Sequence, residues 1–358
     1  MKQAREKSFF LLLFARLFVP LPQLNKTITM TLEAFLNEWR DENPELLVHT
    51  SGSTGKPKPL WVEKRRMEAS ARITCRFLQL KEGDTALLCM PLDYIAGKMM
   101  VVRALTCGLR LVSVEPSAHP MKDLPDNTPI DFAAMVPLQV ARTLQVPEER
   151  QRLRQVRHLI IGGGAIDEEL EQALQDFPNA VWSTYGMTET LSHIALRRIN
   201  GAARDDHYTP FEGVGIAVND EGCLVVNAPA VCPTPLTTND RAVLAADGRR
   251  FRILGRRDNV ICSGGIKLQA EEIERKLRAR IHVPFMVTKR RDAALGEAVV
   301  LMVEDSDAEK YQAACSDTLN KYERPKLILS VERIPLTETG KPARKEAEEM
   351  ANRSARRQ

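Results

Sequence analysis

A loop rich in glycine, hydroxyl and lysine side chains follows the apolar run Leu46 to Val48 and could wrap a polyphosphate. Its glycines allow the backbone to approach an anion closely, its hydroxyl groups donate hydrogen bonds, and its lysines supply positive charge. Taken alone, the same composition is equally typical of a flexible surface loop. The loop residues that could contact phosphate are Thr50, Ser51, Gly52, Ser53, Thr54, Gly55 and Lys58.

This loop is not a Walker A motif. That motif requires four residues between its glycines and a serine or threonine directly after its lysine. Here Gly52 and Gly55 enclose two residues, and Pro57 follows Lys56. Because proline at this position also prevents a helix from starting as it does in a P-loop, the loop predicts phosphate binding in another structural context.

Four further motifs follow one after another downstream. They are Tyr185-Gly186-Met187-Thr188-Glu189, Thr237-Thr238-Asn239-Asp240, Gly255-Arg256-Arg257-Asp258 with Ser263-Gly264-Gly265, and Pro335-Leu336-Thr337-Glu338-Thr339-Gly340-Lys341. Together with the phosphate loop they resemble the adenylate-forming superfamily of acyl- and aryl-CoA synthetases, nonribosomal adenylation domains and luciferases. The resemblance covers Val48 to Arg344 and implies a ligase that uses ATP, Mg²⁺ and coenzyme A.

The resemblance implies roles for the residues around the nucleotide. The phosphate loop would bind the β- and γ-phosphates, and Tyr185, with Gly186 beside it, would stack on adenine. Thr188 would donate to the α-phosphate and Glu189 would bind magnesium, which prefers a carboxylate or two together with phosphate oxygens. Both are therefore predicted to act in catalysis. An aromatic turn with a solvated glutamate is the alternative.

Asp240 and Arg256 match the superfamily's ribose pair. A carboxylate accepts the protons of two adjacent hydroxyl groups, and a guanidinium adds donors to the same sugar. Asn239 stands where the family usually has glycine, so this loop departs from the pattern.

Lys341 is the residue that the resemblance identifies as catalytic for adenylation, where it would reach both the substrate carboxylate and the α-phosphate. By sequence alone, a Gly-Lys turn is typical of an ordinary exposed turn. Asp258 matches the hinge about which a domain rotation would exchange the Lys341 face for one that carries Gly264, Gly265 and Lys267. Small residues on that face would admit the pantetheine arm of coenzyme A.

Three consecutive glycines, Gly162, Gly163 and Gly164, follow a predicted strand and do not form a dinucleotide-binding fingerprint. They could form a flat wall against which an aromatic ring lies, or a tight strand-to-helix turn. With the segment from Met187 to Thr190 and Ser192 after it, they resemble the 2-succinylbenzoate:CoA ligases of menaquinone biosynthesis, a family within the superfamily.

The acid that those ligases use has a second carboxylate, which would need a donor near the pocket. Arg103 lines up with an arginine of the ligases, and Lys98 and His193 are substitutes for it. Tyr94 is also predicted to line the acid site, although Asp93-Tyr94 stands where Phe-His is common.

The length of the chain bears on its activity. Members of the superfamily carry a longer stretch ahead of the phosphate loop, so we expect part of the first domain to be absent. A trimmed enzyme and a degenerate, inactive one both fit this expectation. Two other functions stay open: another aryl- or acyl-adenylating enzyme that delivers to coenzyme A or a carrier protein, and a nucleotide-binding module without catalysis.

Composition argues against several classes of function. Residues 1–30 account for the whole net charge of +4, and a neutral body with 5% aromatic residues lacks the electrostatic footprint of a nucleic-acid-binding protein. The seven cysteines lie in no CxxC pair or zinc spacing, which favours a reducing cytoplasm. The sequence does not determine the oligomeric state, and a homodimer is an open prediction.

Residues 1–29 are predicted to be an extension outside the fold, with Met30 as an alternative start. Lys2 to Lys7 and the apolar stretch Ser8 to Val19 imitate a signal peptide, but Arg16 interrupts the apolar run. The run is too short to span a bilayer, so we predict no stable membrane insertion. An export signal and a helix that docks on the body are the alternatives.

The alternation of helix-like and strand-like segments predicts an α/β protein. We expect a large, shortened AMP-binding domain of layered, mostly parallel sheets and helices over residues 30–256, and a small mobile α+β domain over residues 257–358. The predicted helices are Leu32 to Arg40, Asp167 to Asp176 and Glu271 to Ile281. The predicted strands are Ala86 to Met90, Leu109 to Val114, His158 to Ile161, Val181 to Ser183, Gly222 to Asn227, Phe251 to Leu254, Ala298 to Val303 and Lys326 to Val331.

Overall fold

The computed structural model describes residues 18–19, 30–49, 59–125, 128–336 and 342–354. The described parts of Met1–Ile216 and Val226–Leu236 form one compact unit, and those of Ala217–Val225 and Thr237–Gln358 form a second. The predicted phosphate loop and Lys341 lie outside the described residues, as does nearly all of the predicted extension.

The first unit is built on a large sheet. Its described strands are β1 (Phe18–Val19), β2 (Glu45–His49), β3 (Pro59–Glu63), β4 (Thr85–Leu88), β5 (Arg110–Ser113), β6 (Phe132–Met135), β7 (His158–Ile161), β8 (Ala180–Gly186), β9 (His193–Arg198) and β10 (Thr209–Pro210). Eight of them form one sheet in the order β1-β5-β4-β6-β7-β8-β9-β10, and β2 pairs with β3 in a separate antiparallel ribbon. From β1 to β8 in this order all neighbours are parallel, whereas β9 and β10 are antiparallel.

Helices of the first unit accompany this sheet. Those described are α1 (Leu32–Arg40), α2 (Lys64–Phe77), α3 (Ile95–Cys107), α4 (Pro137–Leu144), α5 (Pro147–Gln155) and α6 (Glu168–Ala173). Thr31 caps α1 through its hydroxyl group, and the carboxylate of Asp167 caps α6, as hydrogen-bonding side chains do at helix N-termini. Helix α3 ends at Gly108, whose φ of 67° favours glycine.

The parallel strands are covered on both faces. All four residues of β4 and of β6 are buried, which is the pattern of a parallel sheet with helices on either side. Helix α3 is buried at every position from Gly97 to Ala104, so it runs through the interior. An added Cβ at Gly97 would overlap the carbonyl oxygen of Pro91, because the start of α3 lies directly against the chain that leaves β4.

This parallel arrangement places two of the described sequence motifs at one edge of the sheet. Gly162 to Gly164 follow β7, and Tyr185 and Gly186 end β8, so both segments leave the carboxyl ends of neighbouring parallel strands. Ligands of open α/β sheets bind at that edge. The fold therefore brings the triple glycine and the Tyr185 motif to the same side of the sheet.

Two further sheets follow along the chain, and most of their residues belong to the second unit. The strands are β11 (Gly215–Val218), β12 (Cys223–Asn227), β13 (Leu236–Leu244), β14 (Phe251–Arg256), β15 (Val260–Ser263), β16 (Ile266–Gln269), β17 (Phe285–Asp292), β18 (Gly296–Val303) and β19 (Leu327–Ser330). One sheet has the order β11-β12-β13-β14, and the other has the order β16-β15-β18-β17 with β19 parallel to β18. The helices described here are α7 (Ala270–Leu277), α8 (Gln312–Thr318) and α9 (Arg344–Ser354).

Helices α7 and α8 pack with the second sheet around an apolar core. Ile273 and Leu277 of α7 point into it, together with Val299 and Leu301 of β18. Helix α9 buries Ala347 and Ala351 in a smaller cluster with Met286 and Val300. The second unit therefore has a core of its own, as expected of a small α+β domain.

The predicted α/β fold class is confirmed, and the relatives described below share it. Helix α1 and strand β7 occupy the predicted ranges, whereas the helix predicted to run to Ile281 ends at Leu277. Ile281 still packs into the core. The apolar pattern therefore correctly indicated that Ile281 is buried, although the helix ends before it. The division into units passes through β11, β12 and β13, and the boundary predicted after Arg256 stays a prediction. Among the described residues, no helix is long and apolar enough to cross a membrane.

A buried ion pair anchors α9 to α7. Arg344 Nη2 lies 2.8 Å from Glu274 Oε2, and Glu274 Oε1 accepts hydrogen bonds from Arg344 Nη1 at 3.0 Å and from the Val287 N–H at 2.8 Å. The Arg344 guanidinium also donates to the Val287 carbonyl oxygen. The pair therefore fixes the first residue of α9, directly after the segment that contains Lys341.

We predict that Glu274→Ala lowers the free energy of unfolding by about 3–5 kcal/mol, because it leaves the Arg344 guanidinium buried without its carboxylate. Urea denaturation followed by circular dichroism measures this change. The matched control is Glu272→Ala, two positions earlier on α7 with its side chain 36% exposed, which should change stability by less than about 0.5 kcal/mol. Equal effects of the two substitutions would contradict the prediction.

Candidate active site

The Tyr185-to-Glu189 motif turns sharply at the end of β8. An added Cβ at Gly186 would overlap the Ser192 carbonyl oxygen and the His193 backbone, so only glycine fits there. Thr188 begins a short 3-10 turn and is buried, whereas Glu189 is exposed. The motif therefore presents the Glu189 carboxylate to solvent, where a cation could reach it.

The turn is held from inside by Thr190. Its hydroxyl group donates to the Ser192 carbonyl oxygen at 2.8 Å and accepts from the Met187 N–H at 3.1 Å. The next residue, Leu191, is buried and has a φ of 64°, in the left-handed region that non-glycine residues rarely adopt. Such a conformation costs about 1–3 kcal/mol and persists only where neighbouring contacts determine it. Its effect is to turn Ser192 back toward α3.

Arg103 of α3 is a buried cation. Its side chain is 2% exposed, Nη2 donates to Ser192 Oγ at 2.6 Å, and the guanidinium lies 5.9 Å from the centre of the Phe132 ring. Its Nε has no hydrogen-bond partner in the part of the chain that the structure describes. Burial lowers the pKa of Arg103 to about 10, so the group stays positive at neutral pH in surroundings that solvate it poorly.

His193 continues a directed chain of hydrogen bonds from Arg103. Ser192 Oγ lies 3.1 Å from His193 Nδ1, and His193 Nε2 lies 3.2 Å from Thr74 Oγ1. Because Arg103 donates to Ser192, the serine proton is free for Nδ1; because Thr74 donates to the Ser70 carbonyl oxygen at 3.1 Å, it accepts from Nε2. We infer the neutral tautomer with its proton on Nε2. Burial, and then the charge of Arg103, lowers the pKa of His193 well below 6.5.

The triple glycine forms an open wall at the same edge of the sheet. Gly162 packs so closely on Thr184 that an added Cβ would overlap the Thr184 hydroxyl group. Gly163 and Gly164 are exposed, and Gly163 has a φ of 78°. Both interpretations of the triple glycine, a flat wall and a tight turn, fit these residues, because the turn leaves the backbone of Gly163 and Gly164 exposed to solvent.

Two further predicted acid-site residues lie apart from this group. Tyr94 is 44% exposed and precedes α3, and nine residues of helix separate it from Arg103 by about 13.5 Å along the axis. Lys98 is buried against α1, with Nζ 5.0 Å from the centre of the Phe35 ring and 3.9 Å from Glu38 Oε2. Arg103, rather than Lys98, is therefore the cation beside Ser192 and His193.

In the second unit, Asp240 and Arg256 face each other across an antiparallel pair of strands. Arg256 Nη1 lies 3.3 Å from Asp240 Oδ1, and Nη2 lies 3.4 Å from Oδ2 of Asp258, the predicted hinge. The backbone of Arg256 is fixed by Gln269, whose amide group donates to its carbonyl oxygen at 2.8 Å, and by Glu271, which accepts from its N–H at 3.3 Å. Strand register thus brings the predicted ribose pair together.

The residues predicted to face coenzyme A form a hairpin. Gly264 and Gly265 have φ values of 58° and 82° and connect β15 to β16, which is the two-residue turn that demands positive φ twice. Lys267 is exposed on β16, opposite Cys262. On either side of the segment that contains Lys341, Leu336 pairs with Pro342 in an isolated bridge.

The described residues of the site offer few side chains that could bind a metal ion by themselves. No group of three or more histidine, cysteine, aspartate or glutamate side chains that could bind a metal ion occurs among the described residues. The exposed Glu189 carboxylate fits the single protein ligand that Mg²⁺ takes when phosphates supply the remaining oxygens. A resident metal site is not part of the described structure.

A parallel sheet with glycine-lined loops at its carboxyl edge, and a separate small domain, define an α/β nucleotide-binding enzyme. The family described as AMP-binding enzyme matches residues 21–237, which is more than half of the chain. The chain belongs to the AMP-binding enzyme family.

Relatives and solved structures extend this assignment. A 2-succinylbenzoate–CoA ligase of Bacillus mycoides is 26% identical over 346 residues, 88% of this chain and 72% of the relative. An AMP-forming acyl-CoA synthetase/AMP-acid ligase II-like protein of Dyadobacter fermentans is 34% identical, with a TM-score of 0.61, over 88% of this chain and 92% of that chain. The O-succinylbenzoate coenzyme A synthetase of Bacillus subtilis, solved with ATP and magnesium ion, shares the fold at 23% identity and a TM-score of 0.70, over 84% of this chain and 69% of that chain.

The sequence did not predict Thr74 as part of the Arg103 network, and it indicated Ser192 only as part of the family resemblance. The hydrogen bonds of Ser192 to Arg103 and His193 were not predicted, although a hydroxyl group beside a predicted site histidine is a signal for them. Thr74 lies 119 residues earlier in the chain than His193, and nothing in its local sequence marks it. Only the packing of α2 against β9 brings it to the imidazole.

We predict that His193 makes the protein less stable in mild acid. Its folded-state pKa is lowered, so below the unfolded-state value of about 6.5 the unfolded chain binds more protons, and stability falls as pH falls by up to about 1.4 kcal/mol per pH unit. His193→Gln should therefore flatten the pH dependence of urea unfolding between about pH 6.5 and 4.5. His282→Gln is the control because that imidazole is exposed. A wild-type slope in the His193 variant would contradict the prediction.

Proposed function

We propose that this chain is an AMP-forming acid–thiol ligase that converts 2-succinylbenzoate to 2-succinylbenzoyl-CoA through an acyl-adenylate, as a step of menaquinone biosynthesis. Membership of the AMP-binding enzyme family supports the reaction class. Several relatives of about 25% identity that carry the name 2-succinylbenzoate–CoA ligase support the substrate.

The buried guanidinium of Arg103 is the observation that carries the choice of acid. A desolvated cation is costly unless an anion or hydrogen-bond acceptors compensate it. Among the described residues, Arg103 contacts a serine hydroxyl group, a methionine sulfur and an aromatic ring, and its Nε lacks a partner. A substrate with one carboxylate to activate and a second to bind would supply the missing anion.

Positioning and charge neutralisation perform the first half-reaction. A carboxylate oxygen of the acid attacks the α-phosphorus of ATP, and pyrophosphate leaves. We assign binding of the phosphates to the loop from Thr50 to Lys58, and binding of the ribose to Asp240 and Arg256. We assign Lys341 to the substrate carboxylate and the α-phosphate, because a cation there offsets the repulsion between these two anions. Magnesium, when bound, neutralises phosphate charge, and Glu189 is the residue that would hold it.

The second half-reaction transfers the acyl group. The thiol of coenzyme A loses its proton and attacks the acyl carbon, the bond to the AMP oxygen breaks, and AMP leaves with the thioester formed. We assign the pantetheine arm to the hairpin at Gly264 and Gly265 and the polar end of coenzyme A to Lys267. Asp258 stays the proposed hinge between the two steps.

The acid would lie with its ring against Gly162 to Gly164. Both Gly163 and Gly164 expose their backbone, and Val136 and Pro137 border them at 3.4 and 3.5 Å from where a Cβ would stand. A flat ring fits such a surface because no side chain rises from it. The predicted homodimer and cytoplasmic location stay predictions, which light scattering and cell fractionation would test.

We predict that Arg103→Gln raises the KM for 2-succinylbenzoate by about 10- to 150-fold, the loss expected for a hydrogen-bonded charge of about 1.5–3 kcal/mol. Two monoacid analogues, each lacking one carboxylate, separate binding from activation. The analogue that keeps only the reacting carboxylate should bind wild type weakly and be insensitive to the substitution. Pyrophosphate exchange across the three acids measures these effects.

Lys98→Gln is the matched control. It removes a buried cation that lies on the same helix as Arg103 but contacts α1. It should leave the KM for 2-succinylbenzoate near the wild-type value. A large KM increase in the Lys98 variant with none in Arg103→Gln would show that Lys98, instead of Arg103, binds the second carboxylate. Strong pyrophosphate exchange with benzoate-type monoacids and none with 2-succinylbenzoate would contradict the proposed choice of substrate.

We predict that Lys341→Ala reduces the adenylation rate by about 10²- to 10³-fold, the usual cost of one charge-stabilising group, while ATP binding stays nearly intact. Calorimetric ATP titration and pyrophosphate exchange measure the two quantities. Lys345→Ala, which removes an exposed lysine of α9, should change neither. If the wild type turned over no acid at all, a nucleotide-binding module without catalysis would replace the ligase.

A further inference from the structure

Two thiols meet where α2 packs against α3. Cys75 is a buried residue of α2, and Cys107 is the half-buried last residue of α3. Cys107 Sγ lies 3.8 Å from the carbonyl oxygen of Ala71, one helical turn before Cys75, so the Cys107 thiol faces the part of α2 that carries Cys75. The two thiols interact closely enough to shift each other's pKa. Neither cysteine has a part in the proposed ligase reaction.

The two thiols differ in charge and in access. The hydrogen bond from Cys75, and then the positive charges of Arg103 and Arg72, lowers the pKa of Cys107. The same bond, together with burial and a small effect of Asp84, raises the pKa of Cys75. Cys107 therefore ionises first and is the one that solvent reaches, whereas Cys75 stays protonated in the interior. This is the arrangement of a reactive thiol beside a resolving thiol.

We propose that Cys75 and Cys107 form a modification site, at which a peroxide converts the two thiols to an intramolecular disulfide. The Cys107 thiolate attacks a peroxide oxygen, the O–O bond breaks, and a sulfenic acid forms with release of hydroxide. The Cys75 sulfur then attacks the sulfenic sulfur, and the oxygen leaves as water with the Cys75 proton. In sum, two thiols and one hydrogen peroxide give one disulfide and two waters.

The disulfide would join α2 to α3, the helix that carries Arg103. It would also consume the thiolate that lies one turn from the Arg103 guanidinium, because Cys107 follows Arg103 by four positions on the same helix face. A dithiol reductant would restore both thiols. The remaining cysteines that the structure describes are free and, apart from the exposed Cys262, buried.

The test is peptide mapping of the full chain after treatment with hydrogen peroxide, without reduction. We expect the Cys75 and Cys107 peptides to be linked, the intact protein to lose the mass of two hydrogen atoms, and dithiothreitol to reverse both changes. Cys107→Ser should abolish the link. Cys75→Ser should leave a sulfenic acid on Cys107 that dimedone captures. Cys262→Ser, the control for an exposed cysteine, should leave the link unchanged.

A second variant tests the role of charge without touching either thiol or Arg103. Arg72→Gln removes a 57% exposed guanidinium and should slow the oxidation by up to about fivefold, the most that one exposed charge usually contributes. Oxidation confined to Cys262, or a link that joins another pair, would overturn the proposal, as would a link that survives Cys107→Ser. Because mapping requires no acid, ATP or coenzyme A, failure here is distinguishable from failure of the proposed ligase function.

Discussion

The buried positive charge of Arg103 is the constraint around which the first unit is arranged. A guanidinium in the interior needs acceptors, and the structure supplies a serine hydroxyl group by forcing Leu191 into a left-handed conformation and by reserving Gly186 for close backbone contact. The same hydroxyl group continues to His193 and Thr74. The strained turn at Leu191, the obligatory glycine at Gly186 and the neutral histidine at His193 thus all belong to one short segment that faces the buried charge.

In the second unit, partly exposed side chains that are predicted to bind the nucleotide are held in fixed positions. Asp240 and Arg256 are partly exposed, so their mutual attraction is weak. Their geometry is set instead by strand register and by Gln269 and Glu271, which hold the Arg256 backbone. In the same way, Arg344 and Glu274 fix the chain beyond Lys341 through a pair that is mostly buried. The positions of these side chains are therefore set by the surrounding strands and buried contacts rather than by their attraction to each other.

Local patterns predicted the elements that depend on local physics. The apolar face of Leu32 to Arg40 gave a helix of that range, and the short apolar run His158 to Ile161 gave a strand of that range, because amphipathic spacing and β-branched runs act within a few residues. The helix predicted to end at Ile281 was too long, since burial continues past Leu277 without helical hydrogen bonds. Motif order likewise predicted the family, because each motif requires particular residue types at its own position.

The sequence by itself, through its resemblance to adenylate-forming enzymes, determined the reaction class; it also predicted Arg103 as an anchor for the acid and Asp240 with Arg256 as a ribose pair. The tertiary structure decided what surrounds Arg103: Ser192, Phe132 and, through His193, Thr74 come from three distant segments. It also decided that Lys98 contacts α1 instead, and that Cys75 meets Cys107. These results depend on which helix faces pack together, and contacts between distant segments leave no local signal in residue type or spacing.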